Sequence, residues 1–396
     1  MNPAQRFLFF LILMGSVAVL LRVVASRTPV LPYPVMLAAA GLLLGLVPGL
    51  IPKEIGSNLI LLAFVPGLVF EASLTLDLKE LRGAVVPVSL LATFGVALTV
   101  LCIGALAHFV IGFSWANGML LGAILAATDP IAVVTLLRQL KAPARLTAIL
   151  EGESLFNDGT GVAVFSAVLA SILSGAPSFS DAAFRLVLIT AGGIAIGLLV
   201  GAAGVLVVRG TNEAQLEILT TLAIAYGSYL LADVVHASGI VAVVTAGIVV
   251  ARYGDASGRL GGSQLLGFWN LLAFVLNAIL FLVVGSFLPT AAVAAVGISV
   301  VVAYVIMFAA RAVPTYLLLA VADPGGRQIP WRWRHLTFWG GLRGALGVAL
   351  ALSVAGLPNV GADVSTIAYG VILLSLLVQG GLIVAVTRAL ALEGVR

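Results

Sequence analysis

The sequence predicts an all-α polytopic membrane protein, and three observations support that fold class. Of its 396 residues, 62% are hydrophobic and 9% are charged, whereas a soluble domain carries about 25% charged residues. Long apolar runs recur along the chain, many of them close to the roughly 20 residues that span the hydrocarbon core of a bilayer. These runs lack the polar–apolar alternation of transmembrane strands, so helices are favoured over a barrel.

The apolar runs divide the chain into about thirteen transmembrane helices within one domain, residues 1–396. The predicted spans are 7–25, 33–51, 57–77, 84–111, 115–138, 146–174, 182–208, 215–233, 237–252, 266–288, 291–321, 335–356 and 363–390. Spans eight and nine are separated only by a short stretch that contains Asp233 and His236.

Basic residues predict the orientation of these spans. Most of the 20 Lys and Arg residues fall on one set of loops and helix ends, whereas Arg6, Lys53 and Arg185 fall on the opposite set. Because cytoplasmic loops carry the excess of basic residues, we expect the N-terminus outside and the C-terminus in the cytoplasm of a cell-membrane protein. The charge is spread between spans, so no nucleic-acid partner is expected. One cysteine and three scattered histidines do not form a Cys/His metal cluster, and we expect no resident cofactor.

Span five contains the sequence Thr128-Asp129-Pro130 near its middle. Pro130 lacks an N–H, clashes with the carbonyl four residues earlier and disfavours helical dihedrals at Asp129. The helix is therefore expected to break near Thr128, which frees backbone carbonyls that can bind a hard cation. An ionisable residue at bilayer depth marks an ion or proton path. The alternative is a proline kink in which Asp129 caps the second half-helix, and both interpretations can hold.

Span six carries a polar stripe. Glu153, Ser154, Asn157 and Asp158 fall within about 140° of one helical face, and the opposite face is apolar. Carboxylate, hydroxyl and amide oxygens suit Na⁺, but Mg²⁺ and Ca²⁺ use the same atoms. Ligand type alone therefore leaves the ion open.

Span twelve contains Gly340-Gly341-Leu342-Arg343-Gly344. The glycines weaken the helix and permit close packing or a second break. Arg343, and Arg311 in span eleven, need buried partners or a water-filled cavity. The acids available are Glu71, Asp129, Glu153 and Asp158. We expect Glu153 to pair with Arg311 or Arg343 in a structural role, whereas a surface position and a site role both stay open for Glu71. Spans five and twelve are an odd number of spans apart and hence antiparallel, which is typical of the interrupted helices of secondary transporters.

Four motifs carry a resemblance over nearly the whole chain: FEASLTLDLKELR at 70–82, ATDP at 127–130, EGESLFNDG at 151–159 and GGLRGALGVALAL at 340–352. With these motifs the chain resembles the NhaP-type sodium/proton antiporters of the monovalent cation:proton antiporter-1 family, prokaryotic relatives of the eukaryotic sodium/proton exchangers. The resemblance implies an NhaA-like fold with inverted repeats and two crossed, broken helices. It implies a six-helix core at about 84–174 and 291–390, a dimerisation part at about 7–77 and 215–288, and a linking span at about 182–208.

The resemblance also implies the site. Asp158 would be the main carrier of cation and proton, and Asp129, Ser154 and the Thr128 carbonyl would complete the Na⁺ site. Structural roles would fall to Asn157, Glu153, Arg311, Arg343 and Pro130, with Arg311 as the first choice of partner for Glu153. Glu71 would lie at or near the site. The neutral Asn157 beside Asp158 implies electroneutral one-for-one exchange, and the family implies a homodimer.

The function predicted in this way is secondary active exchange of a monovalent cation for H⁺ by alternating access, in pH and sodium homeostasis, without enzymatic activity. Cation and proton would compete for Asp158 and Asp129. Na⁺ is expected, with Li⁺ and K⁺ left open. The alternatives are a K⁺/H⁺ antiporter of the same fold, a cation channel and an intramembrane aspartyl protease.

Overall fold

The computed structural model describes residues 3–27, 31–47, 60–174, 179–210, 213–253, 263–286, 296–357 and 359–390. All regular secondary structure in these ranges is helical. Lys53, the side chain of Arg6 and the predicted span ends at 48–51, 57–59, 287–288 and 291–295 lie outside the described residues.

The first half of the chain forms seven helices within the described ranges. They are α1 (Pro3–Arg27), α2 (Tyr33–Gly45), α3 (60–75), α4 (78–111), α5 (Trp115–Ile124), α6 (Ile131–Gln139) and α7 (Ala144–Leu173). Helix α4 begins at 78 rather than at the predicted 84, because the Asp77 side chain accepts the N–H groups of Lys79 and Glu80 and caps it there. Gly112 ends α4 with φ +87°, a left-handed conformation that glycine adopts without steric cost.

The second half forms the remaining described helices. They are α8 (Phe179–Gly210), α9 (Ala214–Val234), α10 (Gly239–Tyr253), α11 (Ser263–Ser286), α12 (Gly297–Ala322), α13 (Trp331–Trp339), α14 (Ala345–Ser353) and α15 (362–389). Helix α13 begins four residues before the predicted start of span twelve, since Pro330 at its N-cap fixes a backbone dihedral suited to a helix start. Helices α4 and α15 contain π-helical turns, at Leu91–Gly95 and Ala107–Ile111 in α4 and at Ser375–Gln379 in α15.

Within the described residues, eight helices are long and apolar enough to cross a membrane. Shorter apolar helices lie at Tyr33–Gly45, Leu61–Thr75, Trp115–Ile124 and Gly239–Tyr253. Large apolar side chains face outward from several of the long helices, such as Leu199 and Ile298 at 72% and 85% exposure. An outward apolar surface is what lipid contact requires, and the protein is a multi-pass membrane protein. The count of thirteen spans remains a prediction.

The helices pack around two large apolar clusters. The first joins α4, α5, α12, α14 and α15 with parts of α1, α2 and α11. The second joins α3, α8, α9, α10 and the beginning of α11. Helix α7 contacts α4, α5, α8 and α10. Its polar stripe faces the residues just after α5, where the chain is interrupted, since Ser154 and Asn157 form hydrogen bonds with Thr128.

Candidate ion-binding site

The first interruption lies between the end of α5 at Ile124 and the start of α6 at Ile131. The sequence predicted a break near Thr128, and the chain is non-helical there because Pro130 has no N–H for a helical hydrogen bond. The Ile131 N–H donates to Oδ1 of Asp129 at 3.0 Å. Asp129 thus caps α6, as one interpretation of the sequence allowed. The cap occupies one carboxylate oxygen and leaves Oδ2 available for an ion.

The polar face of α7 holds this interruption through Thr128. Ser154 donates its hydroxyl to the Thr128 carbonyl oxygen at 2.6 Å. Asn157 accepts the Thr128 N–H at 3.3 Å and donates from Nδ2 to the Thr128 hydroxyl oxygen at 2.7 Å. Asn157 is buried, at 1% exposure. The backbone N–H, carbonyl and hydroxyl of Thr128 are all bonded to α7, which fixes the position of the break. A carbonyl oxygen has two lone pairs, so the Thr128 carbonyl can still bind a cation.

The second interruption crosses the first. Residues 341–344 are non-helical between α13 and α14, and the Asp129 N–H donates to the Leu342 carbonyl oxygen at 2.7 Å. A Cβ atom on Gly344 would lie only 2.3 Å from the Asp129 Cβ and 2.5 Å from Oδ2. Asp129 therefore lies against the amino ends of both α6 and α14. The positive ends of two helix dipoles meet at this carboxylate.

Two buried arginines lie at the opposite, carboxyl ends of the half-helices. Arg343 is 1% exposed and donates to the carbonyl oxygens of Ala126 and Ala127, at 2.9 and 3.3 Å, just beyond α5. Arg311 donates to the Thr337 carbonyl oxygen in the last turn of α13 at 3.3 Å. A cation is favourable at a helix carboxyl end because the unpaired carbonyls there carry partial negative charge.

Glu153 pairs with Arg311, which the resemblance gave as its first choice of partner. Nη1 of Arg311 lies 2.5 Å from Oε1 of Glu153, and the two side chains are 7% and 2% exposed. No acidic side chain in the described ranges forms an ion pair with Arg343. A Cβ on Gly341 would lie 2.5 Å from Nε of Arg311, so this glycine makes room for the pair. The pair links α7 to α12 beside the second interruption.

A cavity of about 580 Å³ opens onto the crossing. Its wall contains the predicted ion-site residues Glu71, Thr128, Asp129, Ser154 and Asp158. Asp158 lies close enough to Asp129 for their charges to interact. Glu71 comes from α3, and its charge interacts with those of Arg138 and Glu151. Arg138 and Glu151 also line the cavity and form an ion pair between α6 and α7. The structure thus brings the predicted carboxylates to one water-accessible space.

The sequence interpretation missed two asparagines of α11, Asn270 and Asn277, which also line the cavity. The Oδ1 atom of Asn277 is buried and has no hydrogen-bond partner among the described residues. A signal was present in the sequence. The two asparagines are seven residues apart in an otherwise apolar span, which places them on one helical face.

The fold and this site define a multi-pass ion transporter in which two interrupted helices cross beside carboxylates that line a cavity. The chain belongs to the sodium/hydrogen exchanger family, since the family model for the transmembrane part of these exchangers matches residues 13–389. It is a secondary transporter and not an enzyme.

Individual relatives agree with this membership. The Na⁺/H⁺ antiporter ApNhaP of Aphanothece halophytica is 35% identical over 99% of this chain and 76% of its own length. The Na⁺/H⁺ antiporter NhaP of Pseudomonas aeruginosa is also 35% identical, over 82% of this chain and 79% of its own. Among solved structures, the sodium proton antiporter MjNhaP1 from Methanocaldococcus jannaschii superimposes with a TM-score of 0.81, covers 99% of this chain and 98% of its own, and is 22% identical. The last likeness establishes a shared fold.

Proposed function

We propose that this protein exchanges Na⁺ for H⁺ across a membrane, with Asp158 and Asp129 as the shared binding groups. Among the described residues, neither aspartate forms an ion pair with a basic side chain, and both line the cavity. The lack of a direct ionic partner for either carboxylate is the observation that carries the proposal. An empty carboxylate pair must stay hydrated or take up a cation or proton. The names of the relatives support Na⁺ as that cation.

Coupling follows from the cost of moving charge through a region of low dielectric constant. Asp158 is neutral when protonated, and it is neutral overall when it carries Na⁺. The empty carboxylate is charged, and its desolvation costs several kcal/mol. Loaded forms would therefore change between inward- and outward-facing states, and the empty form would do so rarely. The Ser154 hydroxyl oxygen and the Thr128 carbonyl would complete the Na⁺ coordination, with Glu71 at the cavity wall.

Further features of the transporter belong to the same proposal. We place the N-terminus outside and the C-terminus in the cytoplasm. We divide the helices into a core, α4–α7 and α12–α15, and a dimerisation part, α1–α3 and α9–α11. Helix α8 links the two parts. Mutual contacts of α4, α5, α12, α14 and α15 support the core. A homodimer, one-for-one electroneutral exchange and a role in pH and sodium homeostasis complete it.

The decisive experiment compares wild type with Asp158→Asn in proteoliposomes that contain a pH-sensitive dye. Sodium-dependent proton movement should disappear in the variant while its elution profile and thermal unfolding stay normal. Asp363→Asn, which changes an exposed aspartate in the first turn of α15, is the matched control and should retain exchange. Wild-type exchange in Asp158→Asn would contradict the assignment.

The same vesicles separate the alternatives. Activity with Na⁺, Li⁺ and K⁺ compared across a pH series identifies the cation, and K⁺ preference would favour a K⁺/H⁺ antiporter. A channel would carry current without strict proton exchange. If cation and proton share one site, the apparent Na⁺ affinity must fall as pH falls. An affinity that stays constant between about pH 6 and 9 would contradict competition at a carboxylate site.

A further inference from the structure

Helix α15 carries two buried polar side chains that neither the motifs nor the proposed ion site includes. Ser375 and Gln379 are 0% and 1% exposed and lie in the π-helical turn Ser375–Gln379. The Ser375 hydroxyl donates to Oε1 of Gln379 at 2.6 Å and accepts the backbone N–H of Arg343 at 3.0 Å. Helix α15 is thereby bonded to the second interruption at the Arg343 N–H.

The Arg343 N–H belongs to the Leu342–Arg343 peptide unit, and the carbonyl of the same unit contacts Asp129. The carbonyl of the Leu342–Arg343 peptide accepts the Asp129 N–H at 2.7 Å. A peptide unit is planar, so its N–H and C=O turn together. Any rotation that takes the Arg343 N–H off Ser375 also moves the Leu342 carbonyl away from Asp129.

The hydrogen bonds between Asp129 and Gln379 all run in one direction. The Asp129 N–H donates to the Leu342 carbonyl, the Arg343 N–H of the same peptide donates to Ser375, and the Ser375 hydroxyl donates to Gln379. Hydrogen bonds aligned in this way polarise and strengthen one another. Asp129 is thus connected to α15 through a single ordered chain.

Ser375 differs in this respect from two other buried serines, Ser228 and Ser73. Ser228 and Ser73 donate to carbonyls of their own helices, at Ala225 and Val69. Such a bond satisfies the hydroxyl without fixing another element. Ser375 instead accepts a hydrogen bond from a non-helical backbone group that a different chain segment supplies.

We propose that Ser375 and Gln379 are positioning residues for cation binding: they orient the Leu342–Arg343 peptide and, through its carbonyl, the backbone of Asp129. This inference rests on the proposed function, in which Asp129 binds the transported cation. The two side chains do not touch the ion. Ser375 and Gln379 instead fix the position of the Asp129 carboxylate relative to Asp158.

The test is Na⁺/H⁺ exchange by Ser375→Ala in proteoliposomes, with apparent KM and maximal rate measured separately. Leaving the buried Arg343 N–H without an acceptor should raise the apparent KM for Na⁺ by about 5- to 150-fold, since an unsatisfied buried group costs about 1–3 kcal/mol. The maximal rate per folded transporter should change less. A merely structural serine would reduce the yield of folded protein and leave the KM of that protein unchanged. Ser228→Ala, a fully buried serine of α9, is the matched control and should keep the wild-type KM.

Two further variants isolate the hydroxyl. Ser375→Thr and Ser375→Val have the same shape and share any packing cost, but only threonine keeps the acceptor, so the KM should rise more in the valine variant. If position 375 tolerates no change, Gln379→Met removes the acceptor of the Ser375 proton and should raise the KM by about 2- to 5-fold. Equal KM values for Thr and Val, or a wild-type KM in Ser375→Ala or Gln379→Met, would overturn the inference. Wild-type protein without Na⁺/H⁺ exchange would refute the proposed function, and this inference with it.

Discussion

Gly344 offers a sharp test of the crossing, because its lack of a side chain determines where Asp129 can lie. Its backbone has φ −114° and ψ −165°, an extended conformation that alanine adopts equally well. Gly344→Ala therefore introduces no backbone strain. The new methyl group would lie 2.3 Å from Cβ, 2.8 Å from Cγ and 2.5 Å from Oδ2 of Asp129. The whole effect of the substitution falls on the position of that carboxylate.

The magnitude follows from these distances. Ordinary van der Waals contact begins at 3.4 Å, so the methyl group and the Asp129 Cβ must separate by about 1.1 Å. Asp129 is held at its N–H by Leu342 and at Oδ1 by Ile131, and it cannot move without losing one of these bonds. A displacement of about 1 Å at a reacting group costs on the order of 100-fold in rate. We therefore expect Gly344→Ala to exchange at low Na⁺ at a rate about 100-fold below that of wild type.

The assay is proteoliposome exchange at fixed pH over a range of Na⁺ concentrations, with thermal unfolding in detergent as the measure of folding. Gly227→Ala in α9 is the control, because no atom lies within 4 Å of the added Cβ there. It should exchange like wild type. If Gly344→Ala is folded and exchanges Na⁺ with wild-type KM and rate, the position of Asp129 does not limit transport, and this reasoning fails.

Two other predictions concern stability. Gly341→Ala places a Cβ 2.5 Å from Nε of Arg311. If this contact separates the buried pair with Glu153, the free energy of unfolding should fall by about 3–5 kcal/mol. An unchanged melting temperature would show that the pair adapts. Asp323, between α12 and α13, accepts the N–H groups of Ile329 and Gln328 at 2.6 and 2.8 Å, and these bonds, that of Ile329 foremost, lower its pKa below the usual 3.8. A lowered pKa means that the bonds stabilise the loop above about pH 3.8, and that this stabilisation disappears as pH falls through the folded value. Protection of both amides from hydrogen exchange should fall in that window, and Asp323→Ala should abolish the pH dependence.

Local chemistry made the first interruption predictable. Pro130 removes a donor and restricts Asp129, so the break follows from two adjacent residues. The polar stripe of α7 is visible for the same reason, since helical periodicity places Ser154 and Asn157 on one face. The detail that Thr128 uses all three of its polar groups toward α7 required the structure.

Long-range partners could not be read from the sequence in the same way. Glu153 and Arg311 are far apart in the chain, and the sequence offered Arg343 equally well until the resemblance favoured Arg311. Arg343 was expected to need a partner, and the structure supplies the carbonyls of Ala126 and Ala127. The sequence predicts that a break frees backbone carbonyls, but it does not indicate which distant side chain they bind. The Ser375 contact was missed because a serine in an apolar span usually bonds its own helix.

The placement of the two arginines also sets the electrical state of the crossing. Glu153, Asp129 and Asp158 contribute three acidic groups there, and Arg311 and Arg343 contribute two basic ones. When all five are ionised, this set carries one net negative charge. A single Na⁺ or a single H⁺ cancels it, and either ion leaves the same total. Under the proposed one-for-one exchange, the two loaded states would carry the same charge through the membrane, and a membrane potential would favour neither direction of exchange.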